Sequence, residues 1–245
     1  MKKLIATLSL MAGLLALPAG ALAEKLVFIA SEWPPYAMQE KGQPTGMQVE
    51  VVLSLGKRLG FDIEIQILPW KRALMRVEKG EADAVFTPFR TEEREKYMYF
   101  TAEPLIIQKL AIVAKKGSGI KAAKIDDLKG KAVGVVRGYV YGSEFDNYQG
   151  FKRKDPSKDD RQLIKKFVNN RVPLIMSSDE GVTRYLCKQA GVEIETVYVL
   201  NETPGYIGFS KTLGEKGKTL AEKFSQALRQ LKEEGVIQKI EGKYF

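Results

Sequence analysis

Two charged side chains, Arg94 and Asp179, stand where they could bind a ligand that carries both charges. Each follows a predicted buried strand. A guanidinium offers paired donors to two carboxylate oxygens, and an aspartate accepts hydrogen bonds from an ammonium. On opposite sides of a cleft they would complement the zwitterion of an α-amino acid. Plainer roles also fit the local pattern. Arg94 could pair with Glu92 or Glu93 on the surface, and Asp179 could cap the helix that begins at Gly181.

Aromatic residues lie at the same predicted strand ends and could form the walls of a binding site. Trp33 and Tyr36 belong to the diproline loop 32–36, which the two prolines make rigid, and Trp70 lies on a neighbouring loop. Segment 138–142 reads Gly-Tyr-Val-Tyr-Gly between a strand and a helix, where free N–H groups could hold an anion. It lacks the spacing of the nucleotide-binding glycine motifs. Each of these aromatic residues fits a buried core equally well.

The composition excludes several kinds of catalysis. The chain has no His and a single Cys, Cys187, which excludes a Ser-His-Asp triad, a Cys-His pair, a histidine zinc site and an internal disulfide. No cofactor or metal is predicted. The apolar content of 44% is enough for a hydrophobic core. The net charge of +9 does not predict nucleic-acid binding, because the basic residues are scattered among acids, as in 152–161.

The first 23 residues have the pattern of a cleavable signal peptide. Lys2 and Lys3 precede a mostly apolar run over 4–17, and 21–23 reads Ala-Leu-Ala, a small-x-small cleavage site. This apolar run is too short to span a bilayer, which needs about 20 residues. We therefore predict export and a mature chain that begins at Glu24. The alternative is a buried N-terminal helix.

The rest of the chain predicts two α/β lobes. Between residues 26 and 86, apolar patterns alternate in the order strand, helix, strand, helix, strand. Within this series, Phe61–Ile67 alternates strictly between apolar and polar residues, which is typical of a half-exposed edge strand. A second α/β series occupies 105–200. Since ligands of such folds bind beyond the carboxyl ends of the strands, the candidate residues would face a cleft between the lobes.

Several short motifs occur in a fixed order along the mature chain. They are Trp33-Pro34-Pro35-Tyr36, Thr45-Gly46-Met47, Thr91-Glu92-Glu93-Arg94 with Phe100-Thr101, Leu128 to Val135, Asp179 with Tyr185-Leu186, and Gly235 to Phe245. In these motifs the chain resembles the family 3 extracellular solute-binding proteins, the periplasmic receptors of ABC importers for polar amino acids. The resemblance implies an α/β, two-lobed type II periplasmic-binding fold with a ligand cleft and two hinge crossovers. Implied boundaries are 24–107 and 203–245 for lobe 1 and 108–202 for lobe 2, with crossovers near 106–109 and 201–205.

The resemblance also implies roles for individual residues. Arg94 matches the arginine that binds the ligand's α-carboxylate, and Asp179 matches the aspartate that binds its ammonium. Trp33 and Trp70 match the walls around the ligand's side chain. Thr87 matches a polar position that assists the ligand's backbone.

Two departures from the family pattern lie near the same cleft. Tyr139 and Val140 stand where the family usually has small hydroxyl residues, although Val140 still matches a position that offers its N–H to the carboxylate. The segment 87–90 replaces a serine-rich stretch, and its Arg90 competes with Arg94 for the anion. The complete set of candidate ligand-binding residues is Glu32, Trp33, Tyr36, Trp70, Thr87, Arg90, Arg94, Tyr139, Val140 and Asp179.

The leading functional prediction is a monomeric periplasmic receptor without enzymatic activity. It would bind an amino acid or a related carboxylate, close around it, and deliver it to the membrane permease of an ABC-type importer. The alternative is a secreted dehydratase on the same fold, because Trp33, Trp70 and Tyr139 would suit the ring of arogenate or prephenate. Glu32 would then serve as the acid. A sensor domain that regulates a partner is a third possibility.

Overall fold

The structure is a computed structural model that describes residues 23–244. The predicted signal peptide, apart from Ala23, lies outside the described residues. The strands are β1 (Glu24–Ala30), β2 (Met38–Glu40), β3 (Gln43–Thr45), β4 (Phe61–Ile67), β5 (Ala84–Phe89), β6 (Met98–Phe100), β7 (Ile106–Lys115), β8 (Ala132–Val136), β9 (Arg153–Ser157), β10 (Leu174–Ser177) and β11 (Ile194–Ser210). The helices are α1 (Met47–Leu59), α2 (Trp70–Glu78), α3 (Glu92–Glu95), α4 (Ser143–Asp146), α5 (Asp160–Val168), α6 (Glu180–Gln189), α7 (Glu215–Glu233) and α8 (Val236–Glu241). Over this described range, every helix is too short or too polar to cross a membrane.

One mixed sheet runs through the whole molecule. Its strand order is β4-β1-β5-β11-β7-β10-β8-β9, and β6 also pairs with β11. β1 is parallel to β4 and β5, and β8 is parallel to β9 and β10. All pairs that involve β7 or β11 are antiparallel. The sheet therefore has a parallel group at each end, which we call the first lobe (β4, β1, β5) and the second lobe (β10, β8, β9), and β7 and β11 join them.

The joint between the lobes is a pair of long strands. From Ile194 to Gly205, β11 pairs with β7, and from Gly205 to Ser210 it pairs with β5 and β6. In the sequence, the apolar residues of this region fall into two runs, 192–200 and 205–209, which predict two separate segments. That prediction was wrong, because Asn201, although polar, keeps β11 paired to β7 at Leu110. The chain thus passes between the lobes inside a continuous strand.

Helices cover both faces of the first lobe. On one face α1 packs against β4, α7 and α8, and on the other α2 packs against β1 and β5. Phe28, Phe209 and Phe224 form the centre of the first face, where Phe28 lies 5.7 Å from Phe209 and Phe209 lies 5.1 Å from Phe224 between ring centres. Met47, Val51, Leu55 and Leu59 recur every four residues before Gly60, a spacing that predicts a helix with a glycine stop. The structure confirms it: α1 ends at Gly60, whose positive φ of 76° closes the helix with a left-handed turn.

The second lobe has helices on one face and an aromatic cluster on the other. Helices α5 and α6 pack against β7, β8 and β10. Across the sheet, Tyr141, Phe145 and Phe151 pack with Leu110 and Met176 of the strands. Both faces of β10 are buried, which explains why Leu174–Ser177 reads as a short apolar run rather than as an alternating one.

The two edge strands of the sheet differ in how well their sequences predict them. β4 pairs only with β1, so its alternating pattern is correctly predicted as that of a half-exposed edge strand. β9 forms the opposite edge, and its sequence Arg-Lys-Asp-Pro-Ser gave no strand signal. It is a strand because its backbone pairs with β8 along its whole length, while Lys154 donates to the carbonyls of Phe145 and Asp146 at 2.8 and 2.9 Å.

The start of α1 holds the aromatic loop in place. The N–H of Met47 donates to the carbonyl of Pro35 at 3.0 Å, and that of Gln48 donates to the carbonyl of Tyr36 at 2.8 Å. Gly46 permits this approach, because its φ is 120° and a Cβ there would lie 2.6 Å from the Tyr36 carbonyl oxygen. The loop that carries Trp33 and Tyr36 is therefore fixed by the N-terminus of α1.

Candidate functional site

Arg94 is a buried residue on the short helix α3. Thr91 caps this helix, since its hydroxyl accepts a hydrogen bond from the N–H of Arg94 at 3.3 Å. The Arg94 side chain is only 4% exposed. Its Nη1 donates to the carbonyl of Phe89 at 3.0 Å, and its Nη2 lies 3.5 Å from the carbonyl of Gly138 in the second lobe. The guanidinium carbon lies 5.5 Å from the ring centre of Trp70, within the range of a cation–π contact.

The positive charge of Arg94 has no carboxylate partner in the part of the chain that the structure describes. No Asp or Glu oxygen among residues 23–244 lies within 4.0 Å of its guanidinium. Burial lowers the pKa of Arg94, because desolvation disfavours the charged form. A buried cation of this kind is costly unless an anion joins it. The predicted surface pairing of Arg94 with Glu92 or Glu93 is wrong, since the side chain points inwards.

An inner pocket lies between the lobes beside Arg94, where about 350 Å³ of space, part of it open to solvent, is not filled by protein atoms. Both lobes contribute to its lining. The lining residues are Ser31, Trp33, Trp70, Thr87, Phe89, Arg94, Gln108, Tyr139, Val140 and Ser178. The structure therefore brings together six of the ten predicted residues, namely Trp33, Trp70, Thr87, Arg94, Tyr139 and Val140.

A bulge in β5 directs residues towards this pocket. The register between β5 and β11 shifts between Gly205 and Ile207, opposite Thr87. Thr87 has a positive φ of 72°, which is strained for a β-branched residue. Its carbonyl accepts a hydrogen bond from Gln108 at 3.4 Å. Such bulges re-aim side chains next to binding sites, and here the bulge places Thr87 in the pocket lining.

Four lining residues were missed in the sequence: Ser31, Phe89, Gln108 and Ser178. Gln108 gave a usable signal, because it is polar within the apolar run of β7 and yet is only 3% exposed. Ser178 stands directly before the predicted Asp179, and its hydroxyl accepts a hydrogen bond from the indole N–H of Trp33 at 3.3 Å. Phe89 gave no signal, because only the bulge turns it towards the pocket.

Asp179 lies beside the pocket but does not line it. The residue is 5% exposed and caps α6, where its Oδ1 accepts from the N–H of Val182 at 3.2 Å and from the hydroxyl of Tyr36 at 3.3 Å. Its Oδ2 accepts from the N–H of Lys109 at 3.2 Å. Burial raises the pKa of Asp179, against the effect of these hydrogen bonds. The capping role is thus present in the structure, and the contact with a ligand ammonium stays a prediction.

Glu32 and Tyr36 lie outside the inner pocket and connect the lobes. Glu32 accepts hydrogen bonds from Nε and Nη2 of Arg161 on α5, at 3.0 and 2.9 Å. Tyr36 packs against Trp33, with ring centres 4.6 Å apart, and its hydroxyl reaches Asp179. Both residues therefore join the first lobe to the second rather than line the space beside Arg94.

Arg90 is not part of the pocket. Its side chain is exposed, pairs with Glu95, and lies with its guanidinium carbon 6.0 Å from the ring centre of Phe100. The predicted competition between Arg90 and Arg94 for an anion has no support in the structure, because the side chain of Arg90 is exposed to solvent and does not line the pocket.

The turn of 138–142 supplies fewer anion donors than predicted. The N–H groups of Tyr141 and Gly142 both donate to Oδ2 of Asp146, at 3.0 and 3.1 Å. The helix that follows, α4, has only four residues. Among the described residues, the N–H of Val140 makes no hydrogen bond, and Val140 lines the pocket. The N–H of Gly138 also makes no hydrogen bond within that part of the chain, but Gly138 does not line the pocket, so the turn offers the pocket one backbone donor where the sequence predicted several.

Tyr139 and Asp160 form a buried pair behind the pocket. The hydroxyl of Tyr139 donates to Oδ2 of Asp160 at 2.8 Å. Asp160 is 3% exposed, and burial, with smaller contributions from Asp159 and Asp179, raises the pKa of its carboxyl group to about 7. The hydrogen bond from Tyr139 acts in the opposite direction.

The Asp160 pair predicts a pH-dependent stability. An unfolded Asp titrates near pH 3.9, so the folded protein binds an extra proton between about pH 4 and pH 7, and its stability falls as the pH rises through that window. At about 1.4 kcal/mol per pKa unit, the effect amounts to a few kcal/mol. The free energy of unfolding is measured with denaturant for Asp160→Asn and the wild type at pH 5 and pH 8. The stability of Asp160→Asn relative to the wild type should be greater at pH 8 than at pH 5. Parallel pH profiles of the two proteins would contradict this prediction.

Comparison with known proteins identifies the family. The family model described as bacterial extracellular solute-binding proteins, family 3, matches residues 26–245. The chain belongs to this family. The arginine-binding extracellular protein ArtP of Bacillus subtilis (strain 168) is 26% identical over 88% of this chain and 84% of its own length. The L-cystine-binding protein TcyJ of Escherichia coli (strain K12) is 25% identical over 90% of this chain and 82% of its own length.

Solved structures agree with this membership. An ancestral arginine-binding protein bound to arginine superimposes with a TM-score of 0.78 at 25% identity, over 91% of this chain and 99% of that one. The two-lobed type II periplasmic-binding fold predicted from the sequence is therefore confirmed. This family 3 member is a solute-binding protein and not an enzyme, and the comparisons give the dehydratase alternative no support.

Proposed function

We propose that this solute-binding protein is a receptor for a free amino acid, whose carboxylate binds Arg94 between the two lobes. The observation that carries the proposal is the unpaired guanidinium at the inner pocket. A buried cation without a protein carboxylate is an incomplete ion pair, and the carboxylate of a ligand would complete it in a bidentate geometry. The N–H of Val140, across the same pocket, supplies a further donor for that carboxylate.

The contacts across the cleft indicate how binding would favour closure. Four polar contacts join the lobes beside the pocket: Glu32 with Arg161, Trp33 with Ser178, Tyr36 with Asp179, and Arg94 with the carbonyl of Gly138. A ligand held by Arg94 on one side and Val140 on the other adds a bridge that exists only when the lobes are together. The ligand therefore binds the closed arrangement of the lobes more tightly than the open one, and binding shifts the population towards the closed arrangement.

Relatives support an amino acid as the ligand. The names of the relatives ArtP and TcyJ give arginine and L-cystine, and the ancestral structure contains arginine. These ligands share an α-carboxylate and an α-ammonium. For the second group we retain the prediction that Asp179 provides the negative charge, next to Ser178 in the pocket lining. We further propose that the protein is exported to the periplasm through the predicted signal peptide and is a monomer there. It would deliver its ligand to the membrane permease of an ABC importer.

A thermal-shift screen tests the function. The purified mature protein is heated with each of the common L-amino acids and, as controls, with the corresponding amines that lack the carboxylate. A ligand at about one hundred times its Kd should add about 2.7 kcal/mol of stability, which raises the Tm of a protein of this size by roughly 5–10 °C. We expect at least one amino acid to do so and its amine to have no effect. A screen in which no amino acid shifts the Tm would contradict the proposal.

A further inference from the structure

The inner pocket does not provide a partner for a charged side chain on the ligand. Its lining, among the described residues, contains no Asp, Glu or Lys, and Arg94 is its one charged group. The remaining space is bordered by aromatic rings, with Trp33 and Trp70 among them, and by uncharged polar side chains such as that of Gln108. A cationic ligand side chain confined there would be desolvated beside Arg94 without an opposite charge, which disfavours it strongly.

A second space lies directly behind this pocket. The outer pocket holds about 520 Å³ of empty space and shares Ser31, Trp70 and Tyr139 with the inner one. Its own lining is charged, because it includes Glu32, Lys158 and Asp159. Glu32 pairs with Arg161 and Asp159 with Lys158, so a cationic side chain that entered would share these two carboxylates. The pocket with carboxylates and the pocket without them thus adjoin at the same three residues.

Tyr139 is held in the position that separates the two pockets. Its hydroxyl is fixed by the hydrogen bond to Asp160, and its ring packs edge-on against Trp70 at 6.1 Å between ring centres. A second ring, that of Tyr141, lies 6.1 Å away on another side. Of the three shared residues, Ser31 is small and Trp70 is anchored at the first residue of α2. Of these three residues, Tyr139 is therefore the one whose substitution would join the inner and outer pockets.

We propose that the inner pocket accepts an amino acid with a short, uncharged side chain, and that Tyr139 sets this limit by separating the inner pocket from the charged outer one. The inference rests on the proposed function, since it concerns the same ligand. It distinguishes this chain from its relatives, whose printed ligands, arginine and L-cystine, have long side chains. Without the ring of Tyr139, a long side chain could pass into the outer pocket and reach Glu32 and Asp159.

Calorimetric titration of wild type, Tyr139→Phe and Tyr139→Ala with L-alanine, L-valine, L-methionine and L-arginine tests this limit. Tyr139→Phe is the matched control, because it keeps the ring and loses only the hydroxyl that contacts Asp160. We expect wild type and Tyr139→Phe to bind L-alanine or L-valine at least tenfold more tightly than L-arginine. In Tyr139→Ala the affinity for L-arginine should rise at least tenfold and the preference should vanish or reverse.

Two results would overturn the proposed restriction to short side chains. One is a wild-type protein that binds L-arginine as tightly as L-alanine or L-valine, and the other is an order of affinities that is the same in Tyr139→Ala as in the wild type. If Tyr139→Ala does not fold, Tyr139→Val opens the same partition with less loss of packing. If no amino acid binds any of the proteins, the proposed function fails. A crystal structure of Tyr139→Ala or Tyr139→Val then tests whether the ring of Tyr139 separates the two pockets. Pockets that are joined in the variant would support this role, and pockets that stay separate would overturn it.

Discussion

Replacing Arg94 with glutamine should remove most of the affinity for the amino acid that gives the largest shift in the screen. The substitution leaves the ligand's carboxylate buried without its cation, which costs about 2–5 kcal/mol and weakens binding by roughly thirty- to several-thousand-fold. The unliganded variant should unfold at the same temperature as the wild type or higher. In the free protein, Arg94 is a buried charge that forms no salt bridge within the described chain, and Glu93 offsets that charge only in part. Isothermal titration gives the affinity, and a thermal scan gives the stability.

The matched control for Arg94 is Arg90→Gln. Arg90 stands four positions earlier, is exposed, and pairs with Glu95 outside the pocket. Its substitution should change neither binding nor stability by more than about 0.5 kcal/mol. A loss of affinity in Arg90→Gln as large as that in Arg94→Gln would show that general positive charge, and not the buried guanidinium, attracts the ligand.

Asp179→Ala should produce the largest loss of stability among the site residues. The carboxylate accepts hydrogen bonds from the backbone N–H groups of Val182 and Lys109, and both would lose this acceptor in a buried place. Each buried unpaired donor costs about 1–3 kcal/mol, so the free energy of unfolding should fall by about 3 kcal/mol. The contact with Tyr36 is lost as well. Because Lys109 lies on β7 and Val182 on α6, the loss also loosens the joint between the lobes. Denaturant unfolding measures the effect.

Asp179→Asn separates the structural role of this residue from its predicted role in binding. Asparagine caps a helix about as well as aspartate, but its amide nitrogen cannot accept from the N–H of Lys109, so the variant should retain about half of the stability that Asp179→Ala loses. It should still bind the amino acid more weakly, because the ammonium then faces a neutral amide. The deaminated analogue of the same amino acid, which has no ammonium, should bind Asp179→Asn as well as it binds the wild type. If Asp179→Asn lost the same affinity for the amino acid and for its deaminated analogue, Asp179 would have only a structural role.

Features that depend on local sequence were predictable. The four-residue apolar spacing of α1 and its glycine stop require only the helix itself, and the alternation of β4 reflects a strand with one face against α1 and the other in solvent. Arg94 was also predictable, because it follows a buried strand and matches a family motif. In each case the signal and its cause lie within a few residues of one another.

Features that depend on distant partners were not predictable from local pattern. β9 owes its conformation to backbone pairing with β8, and the pairing of Glu32 with Arg161 joins residues 129 positions apart. The bulge that turns Thr87 inwards arises from a register shift against β11. Tyr139 could be named as a candidate, but its position between two pockets follows from Asp160 and Trp70, which the fold brings to its two ends.

The most direct test of the account is titration of wild type and Arg94→Gln with the best-binding amino acid and with its α-carboxamide. The two ligands differ only in the charge of the group that Arg94 would hold. The account predicts that the wild type binds the acid at least about thirtyfold more tightly than the amide, and that Arg94→Gln binds both weakly and without preference. A wild type that binds the amide as tightly as the acid, or an Arg94→Gln variant that keeps the preference, would contradict the assignment of the carboxylate to Arg94.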